Sequence, residues 1–400
     1  MGHPLACVMS PAPAIDRTKL LITGSGAIVA TYVAVLASLF ARHLWIADAK
    51  GHPLLTDFVE VWVAGALTLH GSPAAPYDWR LHHAAQVAAM GHDFKGFLGW
   101  HYPPPFLFIA AALALLPYTA AFLVWVCSTV VFYAAVIWRI AKRFEAALVA
   151  LTAPAALGCA LVGQNGFFTA SLIGAALLAL ENNPVIGGVF VGLLTYKPQF
   201  GLLFPVALLA SGNWRAIASA SATALAMLMI STLAFGVGPF AGFLGFLPQT
   251  ASSVLGEGAA GFQKLQSVYG LMRWIGANEM FAWCAQGGIM IAAVIGVFEL
   301  WRHDTPYAAK AAALATATIL ATPYAYMYDF PLLAVAFAFL YRERAFNRVE
   351  AMVAAATLLA MLPFMRVAAP IGPLLALLPA LLIVRRLVPS QSPAMVPQGA

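Results

Sequence analysis

Apolar residues in this chain gather into long runs separated by short polar connections. Runs long enough to cross about 30 Å of hydrocarbon as a helix occur near 20–41, 118–138, 146–162, 185–211, 215–236 and 281–300. Shorter runs lie near 105–117, 166–181, 308–322, 326–341, 347–363 and 370–386. With roughly 20 residues needed per crossing, the pattern predicts about ten to twelve spans, some of the shorter runs serving as tilted partners, re-entrant segments or half-helices. Two stretches interrupt it: a mixed-polarity segment from Arg42 to Pro104 and a Gly-rich one from Gly236 to about Met280. Within the first, apolar positions 58, 61, 62, 65 to 67 and 69 follow a helical period, so Thr56 or Asp57 can cap a short interfacial helix. A second amphipathic stretch runs from Trp79 to Met90, and the consecutive prolines 103 to 105 then force an extended lead into the membrane.

Composition turns the runs into a membrane assignment. Hydrophobic residues make up 62% of the 400 and charged residues 9%, with a mean hydropathy of +0.86. A soluble domain carries about 25% charge, and too few charged side chains are present here to coat a water-facing surface. The excess of 21 Lys and Arg over 15 Asp and Glu fits basic residues gathered at cytoplasmic span ends better than a nucleic-acid partner. Cys7, Cys127, Cys159 and Cys284 are far apart and form no C-x-x-C pair, so they read as packing residues. Arg17 and Lys19 precede an apolar run too long for a cleavable signal, which predicts a retained first span with its amino end in the cytoplasm.

Basic residues recur at alternate connections: Arg215, then Arg302 with Lys310, then Arg342, Arg344 and Arg348, then Arg385 and Arg386. Placing those inside sends 42–104, 237–280 and the Pro323–Asp329 link to the outside together. Arg139, Lys142 and Arg143 fall outside if 105–117 and 118–138 both cross, and inside if 105–138 crosses once. The expected architecture is all-α: one polytopic transmembrane helix bundle over 1–400, with a large outer loop of amphipathic helices and a disordered tail at 387–400.

In the first outer loop Asp57 is at once a helix-cap candidate and a catalytic candidate. Seven of the nine histidines lie between His43 and His101, without the spacing of a zinc signature, and read as solvated loop residues. Gln164 and Asn165, between two spans, suit either a sugar contact or a tight turn. Trp45, Trp62 and Trp100 are the aromatics best placed to meet a prenyl chain or a sugar face.

An acidic residue after the first span, a helix of aromatic and small residues ending at Gly71, the Pro76-Tyr77-Asp78 turn and the Tyr102-Pro103-Pro104-Pro105 lead-in resemble glycosyltransferase family 87. That family is a bacterial branch of the C-type superfamily of polyprenyl-phosphate-sugar-dependent enzymes. Gly163-Gln164-Asn165, the stretch from Gly187-Gly188 to Lys197-Pro198 with Asn213-Trp214-Arg215 after it, and Tyr328-Asp329 extend the resemblance over about residues 20–340.

The resemblance implies a multi-pass enzyme of the inner (plasma) membrane and cell envelope, active on its outer, periplasmic face. It would move a hexose, mannose above all, from a polyprenyl phosphate carrier to a glycan or lipid acceptor, without cofactor or metal. Asp57 matches the catalytic acid position. A carboxylate there can take the acceptor's proton as general base, worth about 10²- to 10⁴-fold in rate, while the phosphate leaves unaided and the anomeric centre inverts. Lys197 is the leading candidate to meet the phosphate, since a charge inside an apolar run costs a few kcal/mol unless it is paired or hydrated, although it could also snorkel to an interface. Arg366 is a second candidate, and Lys264 and Arg273 are weaker ones. Asp329 either orients the sugar or satisfies Tyr324 and Tyr328, and Glu60, Tyr102 and Gln164 complete the expected substrate contacts. The rival readings are a transporter or lipid flippase, drawing on Lys197 and the Gly/Pro-broken spans, and a structural scaffold; neither explains the acid-bearing outer loop.

Overall fold

A computed structural model describes residues 17–259, 261–360 and 369–388. Its first helices are α1 (Arg17–Ala41), α2 (Phe58–Leu69), α3 (Trp79–Met90), α4 (Leu107–Ala114), α5 (Tyr118–Ala141) and α6 (Phe144–Leu151). There follow α7 (Pro154–Val162), α8 (Gly166–Leu180), α9 (Pro184–Leu193), α10 (Leu203–Ala210), α11 (Trp214–Phe235) and α12 (Gly238–Ala251). The chain closes with α13 (Val268–Trp274), α14 (Glu279–Arg302), α15 (Tyr307–Ala321), α16 (Pro331–Glu343), α17 (Arg348–Leu359) and α18 (Gly372–Leu387). Among the described residues there is no strand beyond a single bridge between Ala47 and Pro53. Arg366, Cys7 and nearly all of the expected disordered tail lie outside the described residues.

Helices α1, α5, α11 and α14 are each long and apolar enough to cross a bilayer, and α6 with α7 makes a fifth candidate bent by 66°. The other apolar runs fold as shorter helices broken at Pro, Gly or polar pairs, so the run count overstated the full-length spans. Large apolar side chains stand exposed on the outer helices, among them Val33, Leu225, Leu233, Met280 and Ile291. Only lipid solvates such a surface, and the chain is an all-α, multi-pass membrane protein. The protein interior is built on α8, α15 and α16, whose residues are mostly buried.

Small residues let the helices close up. A Cβ at Gly188 or Gly192 would come within 1.9 Å of Ser219 Oγ or 2.5 Å of Thr223 Cβ, so these two glycines, four apart on α9, seat α11 directly on the backbone. Gly65 does the same between α2 and α4, where a Cβ would lie 2.0 Å from the carbonyl oxygen of Ala110.

The bundle has two chemically distinct ends. At one, Arg342 grips Glu181 with two hydrogen bonds of 2.7 and 3.0 Å, and Arg386 and Arg344 share Glu350. At the other, Gln266 Oε1 accepts from the Gly372 backbone at 2.9 Å, and the polar links 163–165 and 323–329 meet. Helix α5 starts at this second end, where the Tyr118 and Thr56 hydroxyls lie 3.0 Å apart, and runs 24 residues toward the basic end. Segment 105–117 does not cross. It folds back as α4 against α2, and the Trp62 indole donates to the Leu116 carbonyl at 3.0 Å. Within 105–141 the helix long enough to cross is α5, and Arg139, Lys142 and Arg143 lie at its end away from Tyr118.

Candidate active site

A cavity of about 960 Å³ opens at the end away from the basic clusters. Both interrupted stretches and the 323–329 link contribute walls, as do the breaks between α7 and α8 and between α9 and α10. Asp57, Glu60, Tyr102, Gln164 and Lys197 all line it. Asp329 is buried immediately behind, on Lys197.

Asp57 occupies the cap position of α2 without capping. Its backbone is already helical at φ −62° and ψ −23°, and its side chain accepts no bond from the helix amides. The carboxylate turns instead into the cavity, where Gln164 Nε2 donates to Oδ2 at 3.2 Å and lies 3.5 Å from Glu60 Oε1. The Gln164 amide has one sensible orientation. Its oxygen accepts from the Tyr102 hydroxyl at 3.2 Å and from the Asn165 backbone at 3.1 Å, leaving the nitrogen for the two carboxylates. Burial raises the Asp57 carboxyl above its ordinary value, against the Gln164 hydrogen bond and the positive charge of Lys264. Burial, and then the charge of Asp57, push Glu60 well above its own.

The turn that delivers Gln164 has tight sterics. Gly163 adopts φ +70°, and a Cβ there would sit 2.8 Å from both Phe58 and Phe122. At Gly166 a Cβ would lie 1.6 Å from the Tyr328 carbonyl oxygen, so the 163–166 and 323–329 links touch backbone to side-chain-free backbone. The Trp125 indole holds the Gly163 carbonyl at 3.0 Å. Asn165 does not cap α8; its Oδ1 accepts from Lys197 Nζ at 3.0 Å.

Lys197 sits where the Leu194–Tyr196 turn meets Pro198, a break that frees space for a side chain between half-helices. Its ammonium is buried and pairs with Asp329 Oδ1 at 2.6 Å, over the rings of Phe200 and Tyr328. Asp329 Oδ2 in turn accepts from the Tyr326 backbone at 3.0 Å, so this carboxylate is spent on a lysine and an amide rather than on the hydroxyls of Tyr324 or Tyr328.

Several sequence expectations are relocated. Trp45, Trp62 and Trp100 do not line the cavity: the Trp45 indole donates to Leu161 O at 2.8 Å, Trp62 is used by α4, and Trp100 is fully buried against Tyr102 and Phe106. The aromatic lining comes instead from Phe94, Phe97, Tyr102, Tyr196, Phe243, Tyr324, Tyr326 and Tyr328. Tyr102, Tyr324 and Tyr328 were already marked in the sequence, and the others carried no signal beyond proximity to the chemistry-bearing loops. Arg273 is drawn off to Gly256 O and the Phe262 ring. Cys159 packs inside as expected, whereas Cys127 and Cys284 face outward. Of the histidines, His82 is buried with Nε2 3.2 Å from the Glu60 carbonyl, and His101 lines the cavity with Nδ1 3.1 Å from Thr250 Oγ1. Burial lowers both rings, to about 3 and about 4, so each is neutral at pH 7. Among the described residues no group of three or more His, Cys, Asp or Glu gathers to hold a metal ion.

No curated protein and no solved structure matches the chain. The model of glycosyltransferase family 87, however, matches residues 100–323, a shorter stretch than the 20–340 expected from motifs. The matched stretch contains Tyr102, Gln164, Asn165 and Lys197, while Asp57, Glu60 and Asp329 reach it through the hydrogen bonds just described. More than half of the sequence is covered, and the chain belongs to glycosyltransferase family 87.

Proposed function

We propose that this membrane glycosyltransferase moves a hexose, mannose in the first instance, from a polyprenyl phosphate carrier to an acceptor hydroxyl, with inversion and with Asp57 as general base. The observation that carries the reading is the Asp57 carboxylate. It is free of its cap role, held by an oriented amide, and aimed into a cavity large enough for a sugar and an acceptor group. Held near the acceptor oxygen, the carboxylate takes its proton as that oxygen bonds to the anomeric carbon. The carbon–oxygen bond to phosphate breaks on the opposite face, and its electron pair leaves with the phosphate. Burial favours this role, because a base whose pKa is raised toward neutrality transfers protons with less driving force lost. Gln164 is a positioning residue, and the Lys197–Asp329 pair braces the wall where two broken spans meet.

The clustering of Arg342, Arg344 and Arg386 at the end opposite the cavity supports a site on the outer, periplasmic face of the plasma membrane, since arginines collect in short cytoplasmic connections. The donor's prenyl chain would lie in lipid, and a glycan or lipid acceptor would enter from the aqueous side. Incubating membranes carrying the protein with polyprenyl phosphate mannose, glucose and galactose, each labelled in the sugar, tests the proposal. Mannose label is expected to leave the carrier for an acceptor. Label that crosses the bilayer while remaining on the carrier would favour a flippase instead.

A further inference from the structure

The cavity is lined by two lysines that the reading above leaves unused. Its charged lining consists of Asp57, Glu60, Lys95, Lys197 and Lys264. Lys197, the buried cation, is already neutralised by Asp329 at 2.6 Å and bonded to Asn165, so a phosphate would have to compete with a carboxylate in contact for it. Lys95 and Lys264 are different. Both are exposed at the cavity, one from the loop after α3 and the other from the loop after α12, and among the described residues neither makes an ion pair.

The backbone beneath Lys264 is anchored. Its amide closes a turn on Gly261 O at 3.0 Å, and two residues on, the Gln266 backbone donates to Ala325 O at 2.7 Å while the Gln266 side chain ties down Gly372. The ammonium thus rides on a flexible stem from a base fixed, through Gln266, against the link that supplies Tyr324 and Tyr326 to the cavity. Lys264 and Asp57 line the same cavity. Lys95 lies between Phe94 and Gly96, which takes φ +123°, and all three line the cavity.

We propose that Lys95 and Lys264 together form the donor-phosphate subsite, holding the phosphate of the lipid-linked sugar across the cavity from Asp57, while Lys197 serves to brace the wall. The inference rests on the transferase reading. In the bound donor the phosphate is a diester with one negative charge; once the bond to the sugar carbon breaks, it becomes a monoester with up to two. Two ammonium groups outside any ion pair therefore hold the departing carrier more tightly than the arriving one, which is the differential binding that lowers a barrier. Lysine suits the task as a mobile point charge that can follow the phosphate and release it.

The experiment uses the full-length protein in nanodiscs of purely zwitterionic lipid, comparing wild type with Lys95→Ala, Lys264→Ala, the double variant and the matching arginine substitutions. Two quantities are read: direct binding of labelled polyprenyl phosphate, and the donor KM. Loss of two charge-assisted contacts should weaken polyprenyl phosphate binding and raise the donor KM by at least about tenfold in the double alanine variant, with arginine recovering most of both. Both positions are exposed, so thermal stability should stay at the wild-type value. Retention of both quantities within about threefold overturns the inference, as does an effect that appears only when anionic lipid is added, because the lysines would then be binding bulk headgroups. If wild type binds polyprenyl phosphate in a lysine-dependent way yet transfers no sugar, the transferase chemistry fails while the subsite stands.

Discussion

Replacing Lys197 by methionine should destabilise the protein far more than its single hydrogen-bonded pair suggests, because Asp329 is left buried with nothing to balance it. The two side chains are 6% and 0% exposed and their charged atoms are 2.6 Å apart. Removing one partner of such a buried pair costs about 3–5 kcal/mol, most of it the desolvation of the survivor. For a chain of 400 residues, an unfolding entropy of about 2.1 cal/mol/K per residue makes that a fall in Tm of at least about 4 °C. The fall is larger if the spans stay helical in micelles, since less entropy is then released. Asp329→Asn should cost about as much by stranding the ammonium. In the double variant no buried charge remains, so the combined loss should be smaller than the sum of the single losses by about 2 kcal/mol or more. Thermal melts of the four proteins in one detergent give the cycle. Single losses that add to within about 0.5 kcal/mol would show that the two residues are not coupled and would return Lys197 to the list of free cations.

Gly65→Ala should force α2 and α4 apart, since the new methyl would meet the Ala110 carbonyl at 2.0 Å; a loss of about 1–3 kcal/mol with displaced Asp57 and reduced transfer is expected, whereas Gly24→Ala, with nothing within 4 Å, should be silent in the same melt. The acid limb of kcat/KM should reflect Asp57. The base works deprotonated, so activity rises with pH through its pKa, which burial lifts above the ordinary 3.8. Lys264→Ala removes a charge that lowers that pKa, so its limb should move to higher pH; a limb that is unmoved, or that moves to lower pH, contradicts the electrostatic account.

The helical bundle was legible because a bilayer imposes length and apolarity on each span, and both are written residue by residue. The site was legible in part for a related reason. Lys197 stood out as a charge inside an apolar run, costly beside lipid, while Asp57, Gln164 and Asp329 were marked by their places in the polar links and by the family resemblance, and the four gather at one cavity and its wall. What they do to one another could not be read. Lys197 and Asp329 are 132 positions apart, and no local pattern announces that one neutralises the other. The same holds for the fold-back of α4 on α2, which hangs on Gly65 meeting one carbonyl, and for the release of Asp57 from its cap, which depends on a glutamine 107 residues away.

Transfer by Asp57→Asn compared with wild type, in purified protein with labelled polyprenyl phosphate mannose, tests the account most directly. Asparagine can still accept the Gln164 hydrogen bond at Oδ1, and no helix cap is lost, so folding and donor binding should be preserved. It cannot take a proton at pH 7, and turnover should fall by at least about 10²-fold. A variant that folds, binds donor and retains more than about a tenth of wild-type turnover would contradict the assignment of Asp57 as the base.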